Sequence, residues 1–412
     1  MIENRGSRTV GTAKSRALVP LVPLVPLAVL VLLLFAHTNA TAQPDTDTLR
    51  RLRTMPAEPA IAELDSFPAE EALDYALALF EYALQRGDRS AAEQFLEAAE
   101  RTARRAGNVP VLAEVLSTHA FLTQARGNLS GAMDTMGEVV ELTDDAELTE
   151  ELIRALMFLG NLQHRYGVLG EALLTMQRVL SYEPEIENPR TLANVLSETA
   201  MLKYKLGHLE ELIPYLERAL PIYREIDDEN GIGTVYRIYG NYHNALGQVE
   251  TALDYYQRAR VHYVNTNNVH DYANTSYNIG LIFLQAGTPA GALPHLQNAV
   301  ENFTAAGSIS GAGMAGTELG RALFQLRRYA DAERVMTQAR RNLESSQSFF
   351  RLAQAHEIYG AILFSRGDSE SALAAYGDAL RLYRRLGMST EQQRTLETMI
   401  RIREGTQGEI EL

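Results

Sequence analysis

The sequence predicts an all-α protein, a stack of about eight helical hairpins closed by one further helix. Two observations carry this. Glycines stand at 87, 127, 167, 207, 247, 287 and 367, a step of forty residues that lapses only at Arg327. A self-similar period of that length marks repeated supersecondary units rather than one compact core. Around every glycine, small and large apolar residues recur at fixed offsets. With 46% hydrophobic and 22% charged residues in 412, the chain has ample apolar surface to bury and is not of disordered composition.

The first element is a leader. Arg5, Arg8, Lys14 and Arg16 precede an uncharged apolar run from Ala17 to Phe35, and the small residues Ala40, Thr41 and Ala42 stand before Gln43. This order of basic lead, apolar stretch and A-x-A site predicts a secretory signal peptide over residues 1–42, and so an exported, periplasmic protein. The alternative is an uncleaved anchor tethering the chain to the inner membrane, the one membrane contact expected. Pro20, Pro23 and Pro26 interrupt that helix and leave Leu27–Phe35 as its clean part. Beyond residue 42 the chain has 34 basic against 51 acidic residues, a formal −17. Such a charge repels phosphate backbones, so nucleic acid is not an expected partner. The chain has no cysteine, hence no disulfide, thiol chemistry or lipidated cysteine.

Residues 43–67 form a lead-in segment of short helical stretches broken at Pro56 and Pro68. The repeats then occupy residues 68–388. Five positions after each glycine lies Ala92, Ala132, Ala172, Leu212, Ala252, Ala292, Ala332 or Ala372. Twelve after it lies Ala99, Val139, Val179, Ala219, Ala259, Ala299, Ala339 or Ala379, and seven before it Gly160, Gly240, Gly280, Gly320 or Gly360 in five of the units. A glycine between two amphipathic runs supplies the hairpin turn. Small residues let helix axes approach. Leu96, Met136, Met176, Leu216, Tyr256, Leu296, Met336 and Tyr376 share one slot and read as core filling. Turn-forming clusters stand at repeat boundaries, among them Asp227–Gly231 and Asn265–Asn268. Ser389 with Gln392 three positions later reads as a capping box that opens a closing helix within residues 389–412.

The spacing in Gly240, Gly247, Ala252, Tyr256 and Ala259 resembles the tetratricopeptide repeat, in a forty-residue variety with long helices. Pro184 stands where that family often ends its second helix. The resemblance covers about residues 68–388. It implies a right-handed α-solenoid of eight TPR hairpins, with a protein or peptide partner lying along the concave side formed by the first helices.

No phosphate-binding glycine loop, H-E-x-x-H pair or G-x-S-x-G elbow occurs, and the nine histidines lack ligand spacing, so neither an enzyme nor a cofactor or metal protein is expected. Asp144 with Asp145, and Asp227 with Asp228, read as solvated loop acids. Carrying the family geometry across by slot, the inward residues are Arg154, Asn161, His164 and Arg165, then Asn194, Ser197, Tyr204 and Lys205. Arg237, Asn241 and Asn244 follow, and after them Asn274, Tyr277, Asn278 and Gln285. They make a polar stripe of net positive charge, in which asparagines pair with a peptide backbone and cations attract carboxylates. Arg237, Asn241 and Asn278 match the first three places of the family's clamp for a terminal carboxylate, but Met314 and Glu318 stand where its next basic places fall. The function expected is that of an exported scaffold or adaptor binding an extended segment in its groove. Two alternatives stay open: a sensory input module of an envelope signalling system whose kinase or cyclase is encoded separately, and a self-assembling structural protein.

Overall fold

The computed structural model describes residues 44–404. The leader expected over residues 1–42 lies outside them. The described residues divide into two compact units, with the boundary between Leu162 and Gln163. In the first, two short helices, α1 (Thr46–Leu52) and α2 (Ala57–Leu64), precede α3 (Ala69–Gln85), α4 (Arg89–Ala106), α5 (Val109–Ala125) and α6 (Leu129–Asp145). The boundary falls within α7 (Thr149–Tyr166). The second unit continues with α8 (Leu169–Ser181), a 3-10 turn at Glu183–Glu185, α9 (Pro189–Lys205), α10 (Leu209–Glu225), α11 (Glu229–Ala245) and α12 (Val249–Asn265). It ends with α13 (Val269–Gln285), α14 (Pro289–Ala305), α15 (Ile309–Gln325), α16 (Tyr329–Ser345), α17 (Phe349–Ser365), α18 (Ser369–Arg385) and α19 (Ser389–Arg403). No strand occurs among the described residues, and the architecture is that of an all-α helical-repeat solenoid.

The turns follow one rule. Residues of left-handed backbone recur every twenty positions from Gly87 to Gly387, with a single gap at position 187. Alternate turns lie inside and between hairpins. At Gly207 the Gly207 amide donates to the Tyr204 carbonyl (3.0 Å) and the His208 amide to Lys203 (2.9 Å), the paired bonds of a Schellman motif. Asp227 makes the same turn without glycine, its neighbour Asp228 donating to the Tyr223 carbonyl at 2.8 Å. The residue that ends one helix then caps the next: the Asp228 side chain accepts from the Gly231 amide and takes Arg190 Nη1 at 2.6 Å. Asp228 is therefore buried rather than a solvated loop acid, and Asp144 and Asp145 close α6 rather than lie in a loop. At α19 the N-cap is Met388, which has no side-chain cap. The expected Ser389–Gln392 capping box is not formed, because the twenty-residue rule places the turn at Gly387 and leaves Ser389 already inside the helix.

The large apolar slot is buried throughout, from Leu96 to Tyr376. Its partner is the glycine seven residues before the turn. A Cβ on Gly240 would lie 2.6 Å from the Tyr256 ring, and one on Gly280 2.6 Å from Leu296. At Gly240, Gly280, Gly320 and Gly360 the large residue is thus a knob seated in a hole that only hydrogen at Cα leaves open. In the second unit first helices also touch one another in sequence, α9 with α11, α11 with α13, α13 with α15 and α15 with α17. They form its inner layer.

Candidate functional site

The expected inward residues of the second unit come from the last turns of α7 and from α9, α11 and α13. His164 lies half-buried at the centre of one cluster, its Nδ1 bonded to the Glu198 carboxylate and its Nε2 to Lys205 Nζ. Lys205 is exposed as a residue, yet desolvation of its ammonium, together with Arg237, lowers its pKa against the opposing pull of Glu198. Tyr204 beside it is half-buried, which pushes its phenol up. Arg165 is exposed.

On α11, Arg237 Nε donates to the Tyr263 hydroxyl at 3.3 Å. Burial would push the Asp271 carboxyl up, yet the His270 hydrogen bond and the Arg237 charge together hold it down at about 2. Asn241 Oδ1 accepts from the Tyr256 hydroxyl (2.7 Å) and from Asn278 Nδ2 (3.1 Å). Both lone pairs of that oxygen are taken, which fixes the two amides and leaves Asn278 Oδ1 as an acceptor held in place. Asn244 is half-buried. Asn274 Nδ2 contacts His270 Nδ1 at 3.2 Å within its own helix. On α9, Asn194 Oδ1 accepts from Tyr223 at 2.8 Å. Gln285 is exposed and Ser197 buried.

Several expected surface residues have other duties. Asn241 and Tyr277 are 6% and 8% exposed, so they form the floor of the inner layer rather than an open row. Burial, and after it the nearby Glu318 charge, pushes the Tyr277 phenol up to about 12. In the first unit Arg154 is bound to Glu150 (3.1 Å) and Glu151 (3.2 Å) of its own helix. It also faces Glu114 of α5, whose carboxyl burial raises to about 7 against the Arg154 charge. Asn161, in the same unit, is exposed.

The net positive charge expected of the stripe is not found, because every cation in it but Arg165 meets an acid: Glu150 and Glu151, Glu198, or Asp271. Sequence reading missed Glu198 and Asp271. Glu198 occupies the same slot as Asn278 and Glu318, eighty and then forty residues on, and that register was the signal that would have found it.

Residues 191–263, which run through α9–α12, match the family model for the tetratricopeptide repeat. That stretch is similar to the tetratricopeptide repeat. No curated protein matches the sequence. Among solved structures, a Rap protein complexed with Competence and Sporulation Factor is similar at TM-score 0.53 and 14% identity, over 82% of this chain and 99% of that one. A Signal Transduction ATPase with Numerous Domains protein with a tetratricopeptide repeat sensor, from Pyrococcus horikoshii, is similar at TM-score 0.55 and 13% identity. That match takes in 92% of this chain and 62% of the length of the other. At such identities the likeness is one of fold. The repeats matched by the family model include those that hold Lys205, Arg237 and Asn241.

Proposed function

We propose that the protein is an exported tetratricopeptide-repeat scaffold that binds an extended protein or peptide segment along the inner layer of α9, α11 and α13. The observation that carries this reading is the hydrogen-bonded pair Asn241 and Asn278, which joins the adjacent first helices α11 and α13 in the inner layer. The slots of Asn241 and Asn244 hold Leu281 and Leu284 on α13, and Ala361 and Phe364 on α17. Asn278, held by Asn241, offers a fixed acceptor to a peptide N–H, while Asn244 brings both a donor and an acceptor. Lys205, exposed on α9, adds a cation for a carboxylate of the ligand. Lys205 and Asn244 are the residues to alter, since neither supports the core. The expected result is that Lys205→Glu with Asn244→Ala abolishes recovery of the partner from an envelope extract while melting is unchanged; undiminished recovery would sink the groove assignment. Export rests on the leader pattern of residues 1–42, and sequencing the N-terminus of the envelope protein should give Gln43.

A second reading, an input module of an envelope signalling system, draws on the likeness of most of this chain to the repeat-sensor protein. It requires an output domain encoded beside this reading frame, and its absence there would remove the reading.

A further inference from the structure

Two contacts of His164 fix where the protons around it lie. A lysine ammonium can only donate, so Nε2 of the ring accepts from Lys205, and Nδ1 carries the ring proton and donates it to Glu198. In this arrangement the imidazole is neutral, and the charges of Glu198 and Lys205 cancel.

The ionisable groups about this ring come from α7, α9 and α11. Glu198 and Lys205 face it from α9, Arg165 is exposed beside it on α7, and Arg237 of α11 acts on Lys205. On α8 the first-turn acid Glu171 holds the slot from which Glu211 reaches Lys203, forty residues on, and that slot corresponds to Gln163 rather than His164. Gln163 is itself bonded to Thr175 at 2.7 Å. The slots of His164, Glu198 and Lys205 on α5 hold Gln124, Thr118 and Ala125, none of which ionises. His208, the other imidazole near the end of α9, lies 3.6 Å from Glu211 and so bears on Lys203.

We infer that His164 is a proton switch for the groove proposed above, on which reading its regulatory role rests: protonation turns Nε2 from acceptor into donor, breaks its bond to Lys205 and frees that ammonium for a carboxylate of the ligand. Two effects act in one direction. The imidazolium stays paired with Glu198 through Nδ1, so the acid that balanced Lys205 is taken up, and the cluster gains one positive charge. Lys205 then faces a like charge where it had a hydrogen bond. The positive inner layer that the sequence suggested is thus present only with His164 protonated, a change that imidazoles undergo between about pH 8 and 5. An acidic segment is bound more tightly on acidification, and by linkage the bound segment raises the affinity of His164 for its proton.

The test follows Lys205 by NMR in the chain from Gln43 onward, whose lysines are Lys203 and Lys205, with carbon-13 at Cε and the two signals assigned through Lys205→Arg. The Lys205 signal should inflect between about pH 8 and 5. His164→Gln, whose amide can serve both Glu198 and Lys205 without titrating, should remove the inflection. Glu198→Gln should move it to lower pH, because the carboxylate that favours the imidazolium is gone. An acetylated tetra-aspartate peptide serves as the carboxylate probe. Its dissociation constant, read from the Lys205 signal, should be at least about fivefold lower at about pH 5.5 than at about pH 7.5, and equal at the two in His164→Gln. A Lys205 signal flat across the range overturns the inference, as does an inflection that survives His164→Gln. A peptide that binds no better at the lower pH, or leaves Lys205 unmoved, also overturns it. None of these readings uses the partner from the envelope extract, so they hold or fail separately from the recovery experiment that tests the groove.

Discussion

Tyr256 and Tyr376 fill the same slot in two hairpins, and their hydroxyls meet different ends. The first donates to Asn241; the second is buried without a partner, because Ala361 stands where the other hairpin has Asn241. Tyr256→Phe should therefore cost about 1 kcal/mol, whereas Tyr376→Phe should be neutral or slightly stabilising, both read from urea midpoints. Adding a methyl at Gly240 gains helix propensity worth about 1 kcal/mol, but the Tyr256 ring it strikes is pinned at its hydroxyl. Overpacking wins, and Gly240→Ala should lose about 1–2 kcal/mol net. A neighbouring contact shows how freely chemistry varies within fixed geometry: Lys203 lies over Tyr215, His243 stacks on Tyr255 and Phe283 on His295, each pair forty residues after the last. His356 is a different case. Burial, reinforced by Arg340 and Arg381 against the pull of Asp378, holds its imidazole down at about 4. Between that value and the ordinary histidine range the unfolded chain binds a proton the folded one refuses, so stability falls as pH drops from about 6.5 to 4. His356→Gln should flatten that part of the pH profile.

At the level of the helices and their turns, half of the design was legible and half was not. The turns inside hairpins announce themselves because glycine takes the left-handed position in all but one of them. The turns between hairpins use Glu147, Asp227, Asn267 and Gln347 as well as glycine, so no residue type marks them, and the forty-residue step conceals a twenty-residue one. The exchange is tolerated because these positions are on the surface, where the left-handed backbone of an L-residue costs about 1–2 kcal/mol and nothing else. Gln347→Gly should recover about 1 kcal/mol of that in thermal or urea unfolding, and Asn267→Gly less, since asparagine already tolerates this conformation. The polar lining was legible as a list of residues but not as a circuit. Helical spacing placed Arg237 and Asn278 on the inner layer. Their partners Asp271 and Asn241 lie on adjacent first helices, offset by 34 and 37 residues, and no period within a single helix reveals that offset. Glu114 of α5 is the counterpart in the first unit. Its raised carboxyl makes the fold bind a proton between about pH 4.5 and 7, so that carboxyl stabilises less as pH rises through that window. Glu114→Gln should raise the urea midpoint more at pH 8 than at pH 5.

For the molecule as a whole, stability resides in contacts between neighbours in the series, so damage should remain local. Gly240→Ala is expected to accelerate amide exchange in α11, α12 and the helices that touch them, while α17–α19 keep their protection. The twenty-residue turn rule also bears on what lengths the gene can have. Excising residues 248–287 joins Gly247 to Thr288 and leaves first and second helices in alternation, so the shortened chain should fold with undiminished helicity per residue. Excising only residues 248–267 also joins two well-formed turns, yet it delivers α13, with Gly280 and Asn278, into the place of a second helix. Every later hairpin is then inverted, its holes facing holes. Insertions and deletions in this lineage are thereby quantised at two helices, and a change of one helix is a frameshift in three dimensions.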